Sequence, residues 1–551
     1  MKTPLWTLAI LAALAVPAVA QEPSAEEKPK SDAPIPDAVP VPDRWRIPFS
    51  YYPLNEPGSL VDPYHQNILK GDYPILGQDI FLNLTGRSDT TIEARRLPTP
   101  TNVSTNQARN PDFFGGGDQL FLNQDFAATV EVYQGDTAFR PRAWEFRATA
   151  ALNYNYVDVR ENSLTHPNPA EGATRGDKHA ALQECLAEVH LADISPNYDF
   201  ISIRAGIQPF TSDFRGFIFK DTNLGVRLFG TLLSNRIQWN IAGFDQLEKD
   251  TNSNLNTIHK RGQRIYIANL YIQDSIWEGY TTQFSFHNSR DTGDVHYDDN
   301  DFLVRPAKIG TIQVHDVNPY YFGWAGDGHI GPLNLSHALY LARGNDEYNQ
   351  IAGRQVDIAG EFGAIELSFD VDWLRFRGSF LWASGDKNPT DGRATGFDTI
   401  FDNPFWAGGP FSYWNRQSLG LQGVNLVNRD SLVPDLRSSK TQGQINFVNP
   451  GLVVYNVGVD ADLLPELKSV FNASLMKFQN TSSLETFAQQ ADIHHNVGFD
   501  VSMGVVLRPL LNNNVIMTAG AAGFFPGRGF RDIYESGDAL YSFFLELSLT
   551  Y

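Results

Sequence analysis

Apolar residues occupy every second position over several long stretches of the chain. The clearest stretch runs from 144 to 156, where every even position is apolar and the odd positions are mostly polar. The last residues, 541–551, repeat the pattern with apolar side chains at the odd positions. A period of two is typical of β-strands with one apolar face. The first stretch also exceeds the ~5 to 6 residues usual for a strand in a soluble protein.

The alternation recurs along the chain and predicts an all-β fold. Ser234-Asn235 separates two of the runs and reads as a hairpin turn. Long polar segments alternate with short connectors, as outer loops and periplasmic turns do in a transmembrane barrel. We predict a transmembrane antiparallel β-barrel of about 16 to 18 strands over residues 78–551, the size class that leaves a lumen wide enough for water. Further runs lie at 120–132, 201–208, 224–241, 280–286, 365–371, 455–461 and 497–507, the predicted loops are 158–179, 287–330, 384–450 and 479–493, and the connectors are 464–467 and 508–514.

Aromatic residues at the ends of these runs fit the two interfaces of a membrane. With a rise of ~3.3 Å per residue and a tilt near 40°, Trp144 and Tyr154 would be about 25 Å apart along the membrane normal, the height of the apolar band of such barrels. The candidate girdle residues are Trp144, Tyr154, Tyr156, Tyr541 and Tyr551.

The beginning of the chain predicts export. Residues 1–20 combine a basic residue, a short apolar run and a small-residue site, as a cleaved signal peptide does. Residues 21–43 are rich in proline and charge and predict a disordered periplasmic leader. Residues 44–77 carry more apolar groups and predict a short ordered segment, either a small lid or the approach to the first strand. Together with the barrel pattern, this places the protein in the outer membrane of a Gram-negative cell.

Composition narrows the function classes. No stretch after residue 20 approaches the ~20 consecutive apolar residues of a membrane helix. The formal net charge of −20 makes nucleic acid an unsuitable partner, and the expected partners are outer-membrane lipids and small hydrophilic solutes. The single Cys185 excludes an intramolecular disulfide.

Charged residues on the polar faces of the predicted strands are candidates for the lumen wall. Basic and acidic groups are mixed, so they can bias ion traffic across the lumen or form salt bridges that stiffen the wall. The candidates are Glu131, Glu145, Arg147, Arg204, Arg227, Asp370, Asp372, Arg375, Arg377, Asp460, Asp462, Asp500 and Glu546.

Catalysis, cofactors and metals find no support in the motifs. The sequence has no Gly-x-Ser-x-Gly elbow, no His-Glu-x-x-His and no phosphate loop, and we predict no enzyme activity and no cofactor. None of the loop acids follows the twelve-residue calcium loop, so we predict solvated loop charges rather than a metal site. These acids are Asp294, Asp298, Asp299, Asp301, Asp386, Asp391 and Asp398.

Two segments give the chain a family likeness. Residues 204–221, with Gly206-Ile207-Gln208-Pro209, look like the Gly-x-Gln-Pro strand and turn of many porins. Residues 383–398, with Gly385-Asp386 and Asp391-Gly392 and ending in Phe397-Asp398, resemble the loop of the alginate-export family of outer-membrane porins. The resemblance covers residues 78–551 and implies a monomeric barrel acting as a passive conduit.

These observations favour passive diffusion of small hydrophilic or charged solutes, ions included, through a charged lumen. One alternative is a barrel within a polysaccharide-export or other trans-envelope assembly, with a periplasmic partner docked through the leader. Another is a closed barrel that serves as a surface anchor or adhesin. The sequence leaves the solute, the direction of transport and the oligomeric state open.

Overall fold

The chain forms one closed antiparallel barrel of eighteen strands, which confirms the predicted fold class. The computed structural model describes residues 67–99, 114–135, 141–197, 199–417, 419–421, 424–427 and 434–551. The predicted signal peptide, leader and most of segment 44–77 lie outside these residues. The barrel strands are β1 (Ile80–Arg96), β2 (Asp118–Gln134), β3 (Trp144–Val159), β4 (Thr174–Asp193), β5 (Phe200–Thr211), β6 (Lys220–Leu232), β7 (Ile237–Lys249), β8 (Asn256–Ile272), β9 (Tyr280–Asp291), β10 (Val317–Ile330), β11 (Leu333–Asn349), β12 (Glu361–Val371), β13 (Leu374–Ala383), β14 (Leu452–Leu464), β15 (Leu467–Lys477), β16 (Asn496–Leu507), β17 (Val515–Pro526) and β18 (Leu540–Thr550).

Each strand pairs with the next one along the chain, and the last strand pairs with the first. The closing register runs from Arg87↔Thr550 to Arg95↔Ser542. A short strand, Lys70–Leu76, pairs with the first residues of β1 on the same side as β18. It lies below the end of β18 and belongs to the predicted pre-barrel segment.

Helices and further short strands occur in addition to the barrel strands, and one of the short strands, Arg354–Ile358, pairs with the end of β11. Among the described residues, no helix is long and apolar enough to cross a membrane. The helices are α1 (Tyr413–Arg416), α2 (Ser482–Ala488) and α3 (Arg528–Tyr534), with 3₁₀ turns at Pro169–Glu171 and Gly409–Phe411. The short strands are His296–Tyr297, Leu303–Arg305, Arg354–Ile358, Arg393–Ala394, Leu419–Leu421, Val424–Val427 and Pro434–Arg437.

Alternating burial separates two faces of the wall, as the sequence predicts. On β18 the exposed side chains Phe543, Leu545 and Leu549 point outward, whereas Ser542 and Phe544 are buried inside. Large apolar groups exposed on consecutive strands form a continuous outer face, which a barrel needs to contact lipid.

The hairpin turn predicted at Ser234-Asn235 is confirmed between β6 and β7. Leu233, Ser234 and Asn235 all adopt positive φ, between 55° and 64°. The carboxylate of Asp199 in the neighbouring turn accepts the backbone N–H groups of Ser234 and Asn235, both at 2.9 Å. Adjacent turns at this end of the barrel are therefore linked.

The loop predicted over 287–330 is wrong at both ends. Residues 287–291 end β9 and residues 317–330 form β10, so the loop is 292–316. Glycines interrupt the apolar pattern of β10 because a larger residue would clash with neighbouring tyrosines. A Cβ on Gly323 would lie 2.2 Å from the Tyr340 ring, and one on Gly326 would lie 2.0 Å from the Tyr280 hydroxyl. The loop predicted from 158 likewise ends at β4, which begins at Thr174.

Candidate functional site: the lumen and the loops inside it

Two connections between barrel strands fold into the lumen: the β5–β6 loop (212–219) and the described residues of the β13–β14 loop (384–451). Their apolar side chains join those of the inner wall in one buried cluster. Phe217 packs against Trp406 of the other loop, with ring centroids 5.3 Å apart, and against Phe362 of β12 at 5.0 Å. Trp406 is 1% exposed. A dry apolar core therefore fills part of the barrel interior.

The β5–β6 loop is built around one carboxylate. Asp213 accepts the backbone N–H groups of Gly216 and Ile218 at 2.7 and 3.1 Å, and those of Arg215 and Phe217 as well. Because of this turn, the Arg215 side chain points away from the loop and reaches the barrel wall.

Arg215 binds the wall at β10, β11 and β12. Its guanidinium lies 3.4 Å from Glu366 and 3.8 Å from Asp327, and it donates a hydrogen bond to Ser336 at 2.9 Å. This arginine is therefore the contact between the smaller loop and the charged wall.

The β13–β14 loop is anchored where the barrel closes. Arg416 pairs with Glu93 of β1 at 3.3 Å and with Glu546 of β18 at 2.8 Å. Its guanidinium lies 3.6 Å from the centre of the Phe544 ring. Arg416 and Glu93 are both nearly inaccessible to solvent, so the pair can hold this loop firmly against the wall.

Below the two loops a cavity of about 610 Å³ remains, lined by loop and wall residues. Its basic side chains are Arg215, Arg375, Arg377, Lys468 and Arg508, and its acidic ones are Asp327, Glu366, Asp460 and Glu546. Asp460 lies 3.1 Å from Arg377 and 3.2 Å from Lys468. Phe405 and Phe411 from the longer loop complete the lining.

Four of the sequence candidates meet in this cavity: Arg375, Arg377, Asp460 and Glu546. Asp370 borders it through its hydrogen bond with Arg375 at 2.8 Å. Their part in solute passage stays a prediction.

Asp500, Asp372 and Asp462 lie elsewhere. Asp500 accepts the Ser412 hydroxyl at 2.7 Å and the Trp414 N–H at 2.8 Å, so it holds the inserted loop. Asp372 is exposed in the turn after β12, and Asp462 is exposed near the end of β14.

The remaining candidates form two wall clusters on β2 to β7. Glu145 lies 2.8 Å from Arg142 and 2.9 Å from Arg147, and both arginines also contact Glu131. Such pairs fit the wall-stiffening alternative.

Arg204 and Arg227 form the second cluster. Arg204 donates to Glu188 at 2.7 Å, and Arg227 donates to Asn240 at 2.6 Å and lies over the Phe229 ring.

The candidate girdle residues lie at strand ends and in mid-wall. Tyr154 is 58% exposed on the outer face. The Trp144 indole donates to Gln134 at 2.6 Å, and the Tyr541 hydroxyl donates to Asp118 at 2.9 Å. Tyr551 contacts the pre-barrel strand, since the Lys70 ammonium lies 4.0 Å from its ring centre and Asn67 donates to its hydroxyl. Tyr156 is partly buried on the same face as Tyr154. Their place at the membrane interfaces stays a prediction.

The prediction of solvated loop acids is wrong for Asp386 and Asp398. Asp398 is buried and accepts Arg437 through two hydrogen bonds of 2.8 and 2.9 Å. Asp386 is also buried, and desolvation raises its pKa to about 6. Both carboxylates belong to the motif at 383–398. Asp398 docks the motif against Arg437 of the same loop, whereas Asp386 accepts hydrogen bonds from Asn388 and Thr395 within the motif. In the described parts of the chain, no group of three or more His, Cys, Asp or Glu is placed to hold a metal ion.

The sequence does not predict four residues of the inserted loops as part of the site: Arg215, Arg416, Trp406 and Trp414. The segment 397–414 carries an unusual density of aromatic residues for an outer loop, and that density was the available signal. Long solvated loops do not need so many large apolar groups.

The fold and its interior define a transmembrane β-barrel with a partly filled lumen. No protein-family model matches the chain, and no curated protein matches it in sequence. Solved structures that it is similar to include OccK7 (OpdD) of Pseudomonas aeruginosa, at 11% identity and a TM-score of 0.48 over 86% of this chain and 99% of that one. A BenF-like porin from Pseudomonas fluorescens Pf-5 matches at 10% identity and a TM-score of 0.46 over 85% and 98%. OccAB4 of Acinetobacter baumannii matches at 11% identity and a TM-score of 0.44 over 86% and 98%.

Proposed function

We propose that the protein is an outer-membrane porin through which small hydrophilic or charged solutes diffuse passively. The observation that carries this proposal is the charged cavity of about 610 Å³ inside the closed barrel, between the inserted loops and the wall. A volume of this order accommodates a small solute. A barrel that served only as a scaffold would not need charged groups converging on an internal space.

The solute path follows the side of the lumen that the loops leave accessible. Inward-facing Asp89 and Thr91 of β1 and Asp125 and Thr129 of β2 are only partly buried. The corresponding residues on β8 to β13, such as Ile267 and Tyr321, are covered by the apolar core. We therefore route solutes along β1 and β2 to the cavity.

The wall charges are proposed to bias the traffic. The cavity lining carries five basic and four acidic side chains, so its net charge is +1 in a chain of −20. The accessible wall adds Asp125 and Asp89, of which Asp89 pairs with Arg87 at 2.6 Å, so charges of both signs line the path. Such charges on the walls of a narrow path orient water and affect ion preference.

The alginate-export resemblance adds no substrate to this proposal, since it rests on two short motifs. From this resemblance we propose only that the protein lies in the outer membrane. That location requires that residues 1–20 act as a signal peptide. No step of the proposed passage requires a chemical reaction or a cofactor.

A closed barrel acting as a surface anchor is the second candidate. The buried core made by Trp406, Trp414 and the inner wall favours it, because that core obstructs much of the interior. A barrel in a trans-envelope assembly is the third, and deleting 21–43 separates it from a stand-alone porin, which would keep its conductance without the leader.

Conductance in a planar bilayer tests the proposal. Stable open steps of the refolded mature protein under a salt gradient would support a water-filled path, and the reversal potential would give the dominant wall charge. Reproducible insertion without conductance would reject the porin and favour the anchor.

A further inference from the structure

Two arginines face each other on the outer surface of the barrel. Arg264 of β8 and Arg290 of β9 are direct cross-strand partners, and both side chains are exposed. They lie on the same face as the exposed Tyr266 and Phe284, which are lipid-facing. Like charges directly opposite each other destabilise a pair of strands unless an anion lies between them.

No carboxylate of the described chain neutralises this pair, since neither guanidinium takes part in an ion pair there. Asp245 of β7 is the cross-strand partner of Arg264 on its other side. Its carboxylate is already bound by Lys260 at 2.6 Å. The Arg290 guanidinium lies 5.8 Å from the centre of the Tyr266 ring, which contributes no negative charge.

The pair lies at the height of a membrane interface. Arg290 is ten residues beyond Tyr280 on β9, which corresponds to ~25 Å along the membrane normal. Tyr280 packs against Trp277 at the opposite rim, with ring centroids 4.3 Å apart. The arginines are therefore at the loop-bearing rim, where lipid headgroups begin.

An apolar groove lies on the same outer face, nearer the middle of the membrane: its lining residue Phe284 is six residues from Arg290 on β9, about 20 Å along the strand. It has a volume of about 620 Å³ and runs across β9 to β13 on the lipid-facing side. Its side chains include Phe284, Phe322, Trp324, Leu339, Leu341 and Trp382. A groove of this shape and polarity fits an acyl chain whose headgroup lies near the rim.

We propose that Arg264 and Arg290 bind the phosphate of a phosphorylated glycolipid of the outer leaflet, with one acyl chain in the adjacent groove. Two arginines at directly paired positions can both donate to one phosphate and match its charge. The proposal rests on the outer-membrane location proposed above, but it does not depend on whether the lumen conducts.

The test uses the full mature chain in detergent, freed of lipid and titrated with diphosphoryl lipid A in native mass spectrometry. The double variant Arg264→Gln/Arg290→Gln should bind at least about tenfold more weakly, because two charge-assisted contacts are lost. Lys178→Gln is the matched control: Lys178 is also exposed on the outer face, opposite Tyr154. It should bind as the unchanged protein does. Dephosphorylated lipid A should not distinguish the three proteins.

Equal binding by the unchanged protein and the double variant would overturn the proposal. Competition by inorganic phosphate as strong as that by lipid A would also overturn it, because the acyl groove would then contribute nothing. Single-channel conductance of the same three proteins is measured in parallel and should not change. Absent conductance in all three, with the lipid preference retained, would reject the porin but leave the lipid site standing.

Discussion

Individual buried carboxylates hold the loop architecture in place, and burial raises the pKa of Asp386 into the range where pH can be varied in an experiment. It lies in the β13–β14 loop, where it accepts the backbone N–H of Asn388 at 3.2 Å and the Thr395 hydroxyl at 3.3 Å. Its second oxygen has no hydrogen-bond partner. Desolvation raises its pKa to about 6, so the protonated carboxyl is the better-tolerated form in the docked loop.

The first prediction concerns the pH dependence of this loop. The pKa of Asp386 is higher in the folded than in the unfolded protein. Burying the ionised carboxylate therefore lowers the free energy of unfolding above pH 6, and this cost is relieved as the pH falls from about 6 towards 4. The gain is roughly 3 kcal/mol at most. Hydrogen exchange of residues 384–398 should therefore slow between pH 7.5 and pH 5, after correction for intrinsic rates.

Asp386→Asn should flatten this pH profile, because the amide carries no charge at either pH. Asp391→Asn is the comparison at an exposed position in the same loop: it removes a like charge that helps to raise the pKa of Asp386, so it should move the profile slightly to lower pH without flattening it. A profile in D386N as steep as in the unchanged protein would contradict the assignment to this carboxyl.

At the scale of elements, the strands with strict alternation were predictable, whereas β10, which lay within a predicted loop, and the inserted loop were not. The alternation of apolar and polar residues over 144–156 and 541–551 predicts which side chains face outward, because a strand in a barrel wall exposes one face to lipid. The β13–β14 loop has no such period, since its side chains pack against several strands at once. Arg416 illustrates this: nothing near it in sequence indicates Glu93 or Glu546 as its partners.

The second prediction concerns the anchor of this loop. Arg416→Gln removes both ion pairs and leaves the buried Glu93 without its cation, which should weaken the docked state by about 3–5 kcal/mol. Limited proteolysis should then cut within 405–417, and the single-channel current should rise because the loop leaves the lumen more often.

Arg375→Gln is the matched control, since Arg375 is 47% exposed in its pair with Asp370. Exposed pairs contribute only about 0 to 1 kcal/mol, so loop cleavage should not change. Unaltered cleavage in both variants would show that Arg416 does not hold the loop.

For the whole molecule, stability depends on the contrast between the two faces of the wall. Leu545 of β18 is 42% exposed near the middle of the outer face, whereas Ser548 faces inward and contacts Asp89. The same substitution should therefore lower the free energy of unfolding by different amounts at these two sites on one strand.

The third prediction compares arginine at these two sites. Leu545→Arg should destabilise the barrel in lipid by about 2–4 kcal/mol, because it places a charge in the hydrocarbon. Ser548→Arg should be tolerated, since the new guanidinium lies beside the carboxylate of Asp89. Urea unfolding in lipid vesicles measures both, and an equal loss of stability would contradict the assignment of the faces.

The two ends of the β13–β14 loop leave the wall side by side, because Ala383 and Leu452 are direct partners in the ladder between β13 and β14. A different insert can therefore leave and rejoin the wall at this position without a change in the register of β13 and β14. Exchanging this one segment between barrels would create chimeras with a new interior and an unchanged exterior. This one segment thus supplies much of the interior, whereas the wall that spans the membrane is made of other residues.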